Sequence, residues 1–281
     1  MWKVKRPAFD AQEVFEQCIS RISRPDLSNA AKEAGEAAKS YEDAILAGTV
    51  HELKLPDFQS KFVTVAELKL NYTSRMVKAT QPGRYIYDAL FNAVEDDRCP
   101  MCGHREIRSL DHALPKAHYP LLSVVPINLV PCCSDCNRDK KESRPTKAEN
   151  VFLNPYFEDL DKDIWLVADI VEGDPAGATF DVDPPAHWPD VLAARVENHF
   201  DELGLGALYA AQAGPEIRAQ ERCMERAFAR AGVDGVREDL ADKRDGRRDM
   251  FNNSWQGALF HALYESDWYC KEGFRSSLPG S

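Results

Sequence analysis

Four of the eight cysteines fall into two Cys-x-x-Cys pairs, Cys99/Cys102 and Cys133/Cys136, with 30 residues between them. Each pair is a knuckle that can turn two thiolates toward one point. Two knuckles supply the four sulfurs that tetrahedral zinc takes at ~2.3 Å. A site closed by four thiolates leaves no open coordination position, so the expected Zn2+ is structural. Disulfide frameworks mark small secreted chains, whereas here five cysteines crowd into 38 residues of a 281-residue chain. The pattern predicts metal thiolates in a reducing compartment, with residues 98–147 folded around the ion. Cys132 adjoins the ligand Cys133 and reads as a packed neighbour, the alternative being that it takes Cys133's place. Cys18, Cys223 and Cys270 stand alone and read as core or surface residues.

Composition narrows the class further. Hydrophobic residues make up 44% and charged residues 29%, an ordinary globular balance. No apolar run approaches the ~20 residues of a bilayer span. No apolar stretch follows the basic start Met1–Pro7, so no signal peptide is expected. The expected location is cytoplasmic, away from membranes. The net charge of -11 argues at first against a nucleic-acid partner. Its distribution removes that objection. Residues 98–147 carry 9 basic and 5 acidic groups, whereas residues 148–281 carry 13 and 26. The basic segment coincides with the cysteine pairs.

The chain reads as mainly helical. Residues 8–47 are rich in Ala, Glu and Lys, with Pro25 predicting two helices rather than one. Residues 49–72 alternate enough to form either a short strand or a helix. Residues 84–96 predict a helix running into the first knuckle. Residues 164–183 predict a hairpin around Gly173-Asp174-Pro175. Helices follow over 190–203 and 215–231. Residues 234–250 are a charged helix or loop, and residues 254–268 a helix capped by Ser254. Trp165, Trp188, Trp255 and Trp268 are expected in the core.

Between and beside the knuckles stand groups that a zinc ribbon does not need. Asp111 and His112 are adjacent, Asn128 follows 16 residues later, and Asn137 directly follows Cys136. A carboxylate beside an imidazole suits metal-assisted hydrolysis. The carboxylate holds a hard cation such as Mg2+ through oxygen, and the imidazole accepts a proton from water near neutral pH. Taken singly, each has a structural reading: a satisfied core histidine, a turn-forming asparagine. Arg138, Lys140, Lys141, Arg144 and Lys147 lie on or after a helix starting near Asp135. They could neutralise DNA phosphates or form a solvated helix face. Lys116 and His118 lie in the loop between the two expected strands, where substrate contact and a surface role are both open.

The order Cys-x-x-Cys, Asp-His, Asn, Cys-x-x-Cys-Asn, ending in NLVPCCSDCNRDKK, resembles the HNH endonuclease family of ββα-metal nucleases. The resemblance covers roughly residues 96–145. It implies that His112 is the general base that activates water and that Asp111 is a ligand of the catalytic metal. It implies that Asn128 pins the inter-strand loop and orients the histidine, and that Asn137 gives the metal an amide oxygen. This is an H-N-N variant, and an amide oxygen favours Mg2+ or Mn2+ over softer ions. The implied substrate is DNA, double-stranded before single-stranded; the charge pattern, not the resemblance, offers Lys116, Arg138, Lys140, Lys141 and Arg144 as candidate contacts.

The expected fold is α+β: a mainly helical chain enclosing a zinc-stabilised, treble-clef-like ββα-metal core. The expected regions are an N-terminal helical region (1–82), the nuclease core (83–150) and an acidic, mostly helical C-terminal region with the hairpin (151–281). By analogy with the family, the role is bacterial antiphage defence. No G-x-x-x-x-G-K-[S/T] motif occurs, so a partner ATPase or other defence subunit would be a separate chain. The alternatives are a non-catalytic zinc-knuckle module that binds nucleic acid or protein, and an RNA-directed HNH nuclease.

Overall fold

The computed structural model describes residues 2–142 and 144–275. The chain is α+β and divides into two units, residues 1–159 and 160–281. The expected division at residue 83 does not appear as a boundary between units. The N-terminal helices and the knuckle segment share one hydrophobic core, in which Phe15, Leu27 and Leu68 lie with Leu110, Leu122 and Leu129.

In the first unit, α1 (Ala11–Ile19) is capped by the Asp10 carboxylate, which accepts from the Glu13 N–H. Pro25 opens α2 (Pro25–Ala47), where its missing N–H costs nothing. Gly48 closes α2 in the left-handed region at φ 72. The buried side of α2 is lined by Ala30, Ala31, Ala34, Ala37 and Ala38, small residues that let neighbouring elements approach closely. Residues 49–72 resolve as 3-10 turns followed by the helix α3 (Val65–Leu70), capped by Thr64. A π-turn, Asn71–Met76, continues α3. The next helix, α4 (Arg84–Phe91), ends sooner than its spacing predicts. Asp96 and Asp97 lie beyond it with positive φ, incompatible with a helix through residue 96.

Strand β1 (Ser109–His112) pairs antiparallel with β2 (Leu129–Cys132), in the register Ser109↔Cys132 through His112↔Leu129. The helix α5 (Ser134–Lys140) follows directly, with the Cys133 sulfur accepting from the Cys136 N–H at its start. The order is β–β–α, with both knuckles beside the sheet. The Tyr156 hydroxyl donates to the Leu129 carbonyl at 2.7 Å and ties the returning chain to β2.

In the second unit, β3 (Leu166–Val171) and β4 (Gly177–Val182) form the expected hairpin. α6 (Asp190–Glu202) precedes α7 (Leu205–Arg248), which begins ten residues before the expected helix start at residue 215. Pro215 lies inside α7 at an exposed position. Ala231 and Gly232 depart from helical geometry and break α7 there. Ser254 caps α8 (Trp255–Glu265), and Ser266 ends it and caps α9 (Asp267–Lys271). Phe180 packs edge-on against Tyr209 and Trp255 in this unit's core. Trp165 and Trp255 are buried as expected, whereas Trp188 and Trp268 are half-buried.

Among the described residues, no helix is long and apolar enough to cross a membrane.

Candidate metal and catalytic centre

The two knuckles converge. The sulfurs of Cys99, Cys102, Cys133 and Cys136 all lie within 4.8 Å of one another, and all four residues are buried. All four are free thiols. Four buried sulfurs at this mutual distance match the donor set of tetrahedral zinc, so the cluster could hold a metal such as zinc. Cys132, on the last position of β2, is equally buried and its thiol touches those of Cys99, Cys133 and Cys136, but it is not one of the four mutually close sulfurs. The first knuckle has a tight turn at Gly103, with φ +61. A Cβ there would fall 2.9 Å from the Trp2 indole, and the Trp2 N–H donates to the Pro100 carbonyl at 2.8 Å. The N-terminal segment therefore covers the knuckle.

Beside the cluster, at the end of β1 and along α5, a pocket of about 250 Å3 is lined by Asp111, His112, Lys116, Asn137, Arg138 and Lys140, together with Pro115, Lys141 and Glu142. Three segments build it: β1, the loop after it, and α5 with its C-cap. Asn137 and Lys140 face it from α5 because they lie three residues apart, one helical turn.

His112 is buried, 5% exposed. Its Nε2 lies 2.9 Å from the Ser123 carbonyl. A carbonyl only accepts, so Nε2 carries the proton and Nδ1 of the neutral ring keeps its lone pair. Burial pushes the imidazole pKa down to about 3, with the Lys116 and Lys140 charges pushing the same way and the Ser123 hydrogen bond opposing them. The ring is neutral at pH 7.

Asp111 is mostly buried, and its Oδ2 lies 3.0 Å from the Lys140 ammonium. Burial raises its pKa above the usual carboxylate value, and Lys140 pulls it back down. The Asn137 amide nitrogen donates to the Ser109 hydroxyl at 3.2 Å.

Asn128 is away from the pocket and fully buried. Its Oδ1 accepts from the Leu114 N–H at 2.7 Å, and its Nδ2 donates to the Leu114 and Leu122 carbonyls at 3.0 and 3.2 Å. It bridges the two ends of the loop from β1 to β2.

The basic residues separate into two groups. Lys116, Arg138, Lys140 and Lys141 line the pocket, whereas Arg144 does not. The Arg144 guanidinium donates to the Leu53 carbonyl at 3.4 Å. Lys140 is 5% exposed, unlike the solvent-facing position its sequence neighbourhood suggests. It shares a helix face with Cys136, four residues earlier, and that face is inward. Two contributors carry no sequence signal. Tyr72, from the π-turn, lays its ring edge against His112, and Ser123 supplies the carbonyl that Nε2 meets. Tyr72 lies in the alternating stretch that suits strand or helix equally, and Ser123 lies in an apolar loop.

The sequence matches no family model, and no solved structure matches it. It is similar to Protein ea31 of Escherichia phage lambda, with 35% identity over 162 residues, 55% of this chain and 53% of that protein. The chain thus spans about half the length of the curated relative it matches.

Proposed function

We propose that the first unit is a metal-dependent endonuclease of the HNH type that hydrolyses phosphodiester bonds in DNA. The observation that carries this reading is the single pocket shared by Asp111, His112 and Asn137, on a β–β–α unit joined to a four-cysteine cluster.

His112 acts as the general base. Its Nδ1 takes a proton from the attacking water while Nε2–H stays on the Ser123 carbonyl, which fixes the tautomer. The pKa of about 3 belongs to the buried ring with no substrate present, the Lys116 and Lys140 ammonium groups adding to the effect of burial. A phosphate brought against Lys116 and Lys140 opposes those charges and raises the basicity of the imidazole. Asp111 and the Asn137 amide oxygen would hold the catalytic Mg2+ or Mn2+. The donor set fits such a hard cation: one carboxylate and one amide oxygen on the wall of a polar pocket. When bound, the ion supplies Lewis acidity at the scissile phosphate. Lys116, Arg138 and Lys141 neutralise the phosphates entering the pocket. The zinc cluster stabilises the base of the unit and takes no part in chemistry.

A partner such as a separate ATPase, and a role in antiphage defence, follow from the family resemblance alone. Co-purification of untagged neighbours tests them.

Incubating supercoiled plasmid with the protein and Mg2+ or Mn2+ tests the activity itself. Nicked and linear products are expected, absent with EDTA and absent for a folded His112→Ala variant. Cleavage that survives in a clean His112→Ala preparation would overturn the assignment. Cleavage of RNA in preference to DNA would replace the substrate class.

A further inference from the structure

We propose that Tyr72 is a positioning residue of this centre, and that the segment Val65–Met76 is a structural part of it rather than an accessory to the nuclease core. The geometry rests on contacts alone. Its catalytic consequence rests on the nuclease reading above.

His112 is the last residue of a four-residue strand and pairs with Leu129, the first residue of β2, so the backbone alone does little to fix the imidazole plane. Two anchors fix it, and both lead to the same short segment. The first is the Ser123 carbonyl on Nε2; the Ser123 hydroxyl in turn donates to the Leu68 carbonyl of α3 at 2.9 Å. The second is Tyr72, one turn further on. Its ring meets the imidazole edge-on, with centroids 4.5 Å apart and planes at 74°. Its hydroxyl donates to the Leu110 carbonyl at 2.9 Å, on β1 two residues before His112. That hydrogen bond adds to the burial of the ring, which holds it against the strand beside the imidazole. Lys116 places its ammonium 5.3 Å from the centroid of the same ring, within cation–π range. Tyr72 therefore touches both the base and a phosphate-binding cation of the pocket.

The π-turn carries Tyr72 to this place. The Val77 N–H reaches back to the Tyr72 carbonyl, a five-residue step that inserts one residue and rotates the helix face. The turn is not a stabilising choice in itself. Asn71 beside Tyr72 is fully buried, and neither its amide nitrogen nor its oxygen has a partner among the described residues.

The test uses full-length, zinc-loaded protein and two readouts. The first is the 15N–1H correlation of the His112 ring, which reports tautomer and hydrogen bonding without activity. The wild type and Tyr72→Phe, which keeps the ring, are expected to show one tautomer with Nε2 protonated. Tyr72→Leu is expected to show shifted ring nitrogens and tautomer exchange, with zinc content unchanged. Tyr72→Met, closer in volume, serves if Tyr72→Leu does not fold. The second is plasmid cleavage. Tyr72→Leu is expected to lose at least tenfold in kcat with KM within about twofold, and Tyr72→Phe to recover most of it. Wild-type ring nitrogens in folded Tyr72→Leu or Tyr72→Met would overturn the proposal. A wild type that cleaves nothing would overturn the nuclease reading, while the spectra would still decide the role of Tyr72.

Discussion

The Lys140 ammonium bridges the two neighbours that define the centre: it lies 3.0 Å from Asp111 Oδ2 and 2.7 Å from the His112 carbonyl oxygen. One buried cation thus ties α5 to the end of β1 and compensates the carboxylate proposed to hold a metal. Removing one partner of a buried pair costs about 3 kcal/mol or more, because the other charge is left unpaired in low dielectric. Lys140→Met is therefore expected to lower the urea stability of the first unit by about that amount in buffer free of Mg2+ and Mn2+. Adding either ion should restore part of the loss, since a ligand that binds only the folded state stabilises it. Equal loss with and without the ions would show that Asp111 does not receive them.

Lys140 also shows where sequence reading stops. Lys140 and Lys141 are the same residue type side by side, and only the helix register, with Cys136 and Lys140 on one inward face, separates the buried one from the exposed one. The knuckles were legible because two Cys-x-x-Cys spacings fix which sulfurs can meet, whereas Asp111, His112, Asn128 and Asn137 were singled out by the resemblance of their order to a family. Pro25, Ser254 and the hairpin turn were legible because backbone constraints act over a few residues. The length of α7 was not. Pro215 reads as a start rather than an interior position and the charged run 234–250 suits helix or loop equally, and packing against α8 and β4 carries the helix through both. Tyr72 was illegible for the opposite reason. Its position depends on one extra residue in a helical turn, which no pattern of hydrophobicity encodes.

The four-thiolate cluster predicts one zinc per chain by elemental analysis. Cys136→Ser should abolish retention and unfold the first unit at a lower temperature, because structural zinc contributes an apparent ~10 kcal/mol or more at neutral pH. Cys132→Ser should keep the metal, since Cys99, Cys102, Cys133 and Cys136 complete a four-sulfur donor set without it. Ligand thiols must lose their protons to bind, so retention should fall as pH falls. Zinc lost from Cys132→Ser and kept by Cys133→Ser would exchange the roles of these two residues.

Asn128 makes three hydrogen bonds from a fully buried side chain. Asn128→Ala leaves a buried N–H and two carbonyls of the loop without those partners, at about 1–3 kcal/mol for each group not rescued by water. The expected loss is about 4 kcal/mol in urea unfolding. Asn128→Asp is no rescue. It keeps an acceptor for the Leu114 N–H but faces the Leu114 and Leu122 carbonyls with oxygen instead of N–H. A loss below about 1 kcal/mol for Asn128→Ala would mean that the loop holds itself.

Asn253 has the same role in the second unit and no motif to announce it. It is 4% exposed. Its Oδ1 accepts from the Trp165 and Leu166 N–H groups at 2.8 and 3.1 Å, and its Nδ2 donates to the Asp163 carbonyl at 2.7 Å. One side chain thus fixes the entry to β3 against the turn before α8. Asn253→Leu fills similar space with no polar atom, so it strands these backbone groups without opening a cavity. The expected loss is about 3 kcal/mol, read as earlier exchange of the β3 amides and a lower urea midpoint for the second unit. The first unit belongs to a separate core, so zinc content and plasmid cleavage should be unchanged. Loss of cleavage in a folded Asn253→Leu protein that keeps its zinc would show that the second unit supports catalysis.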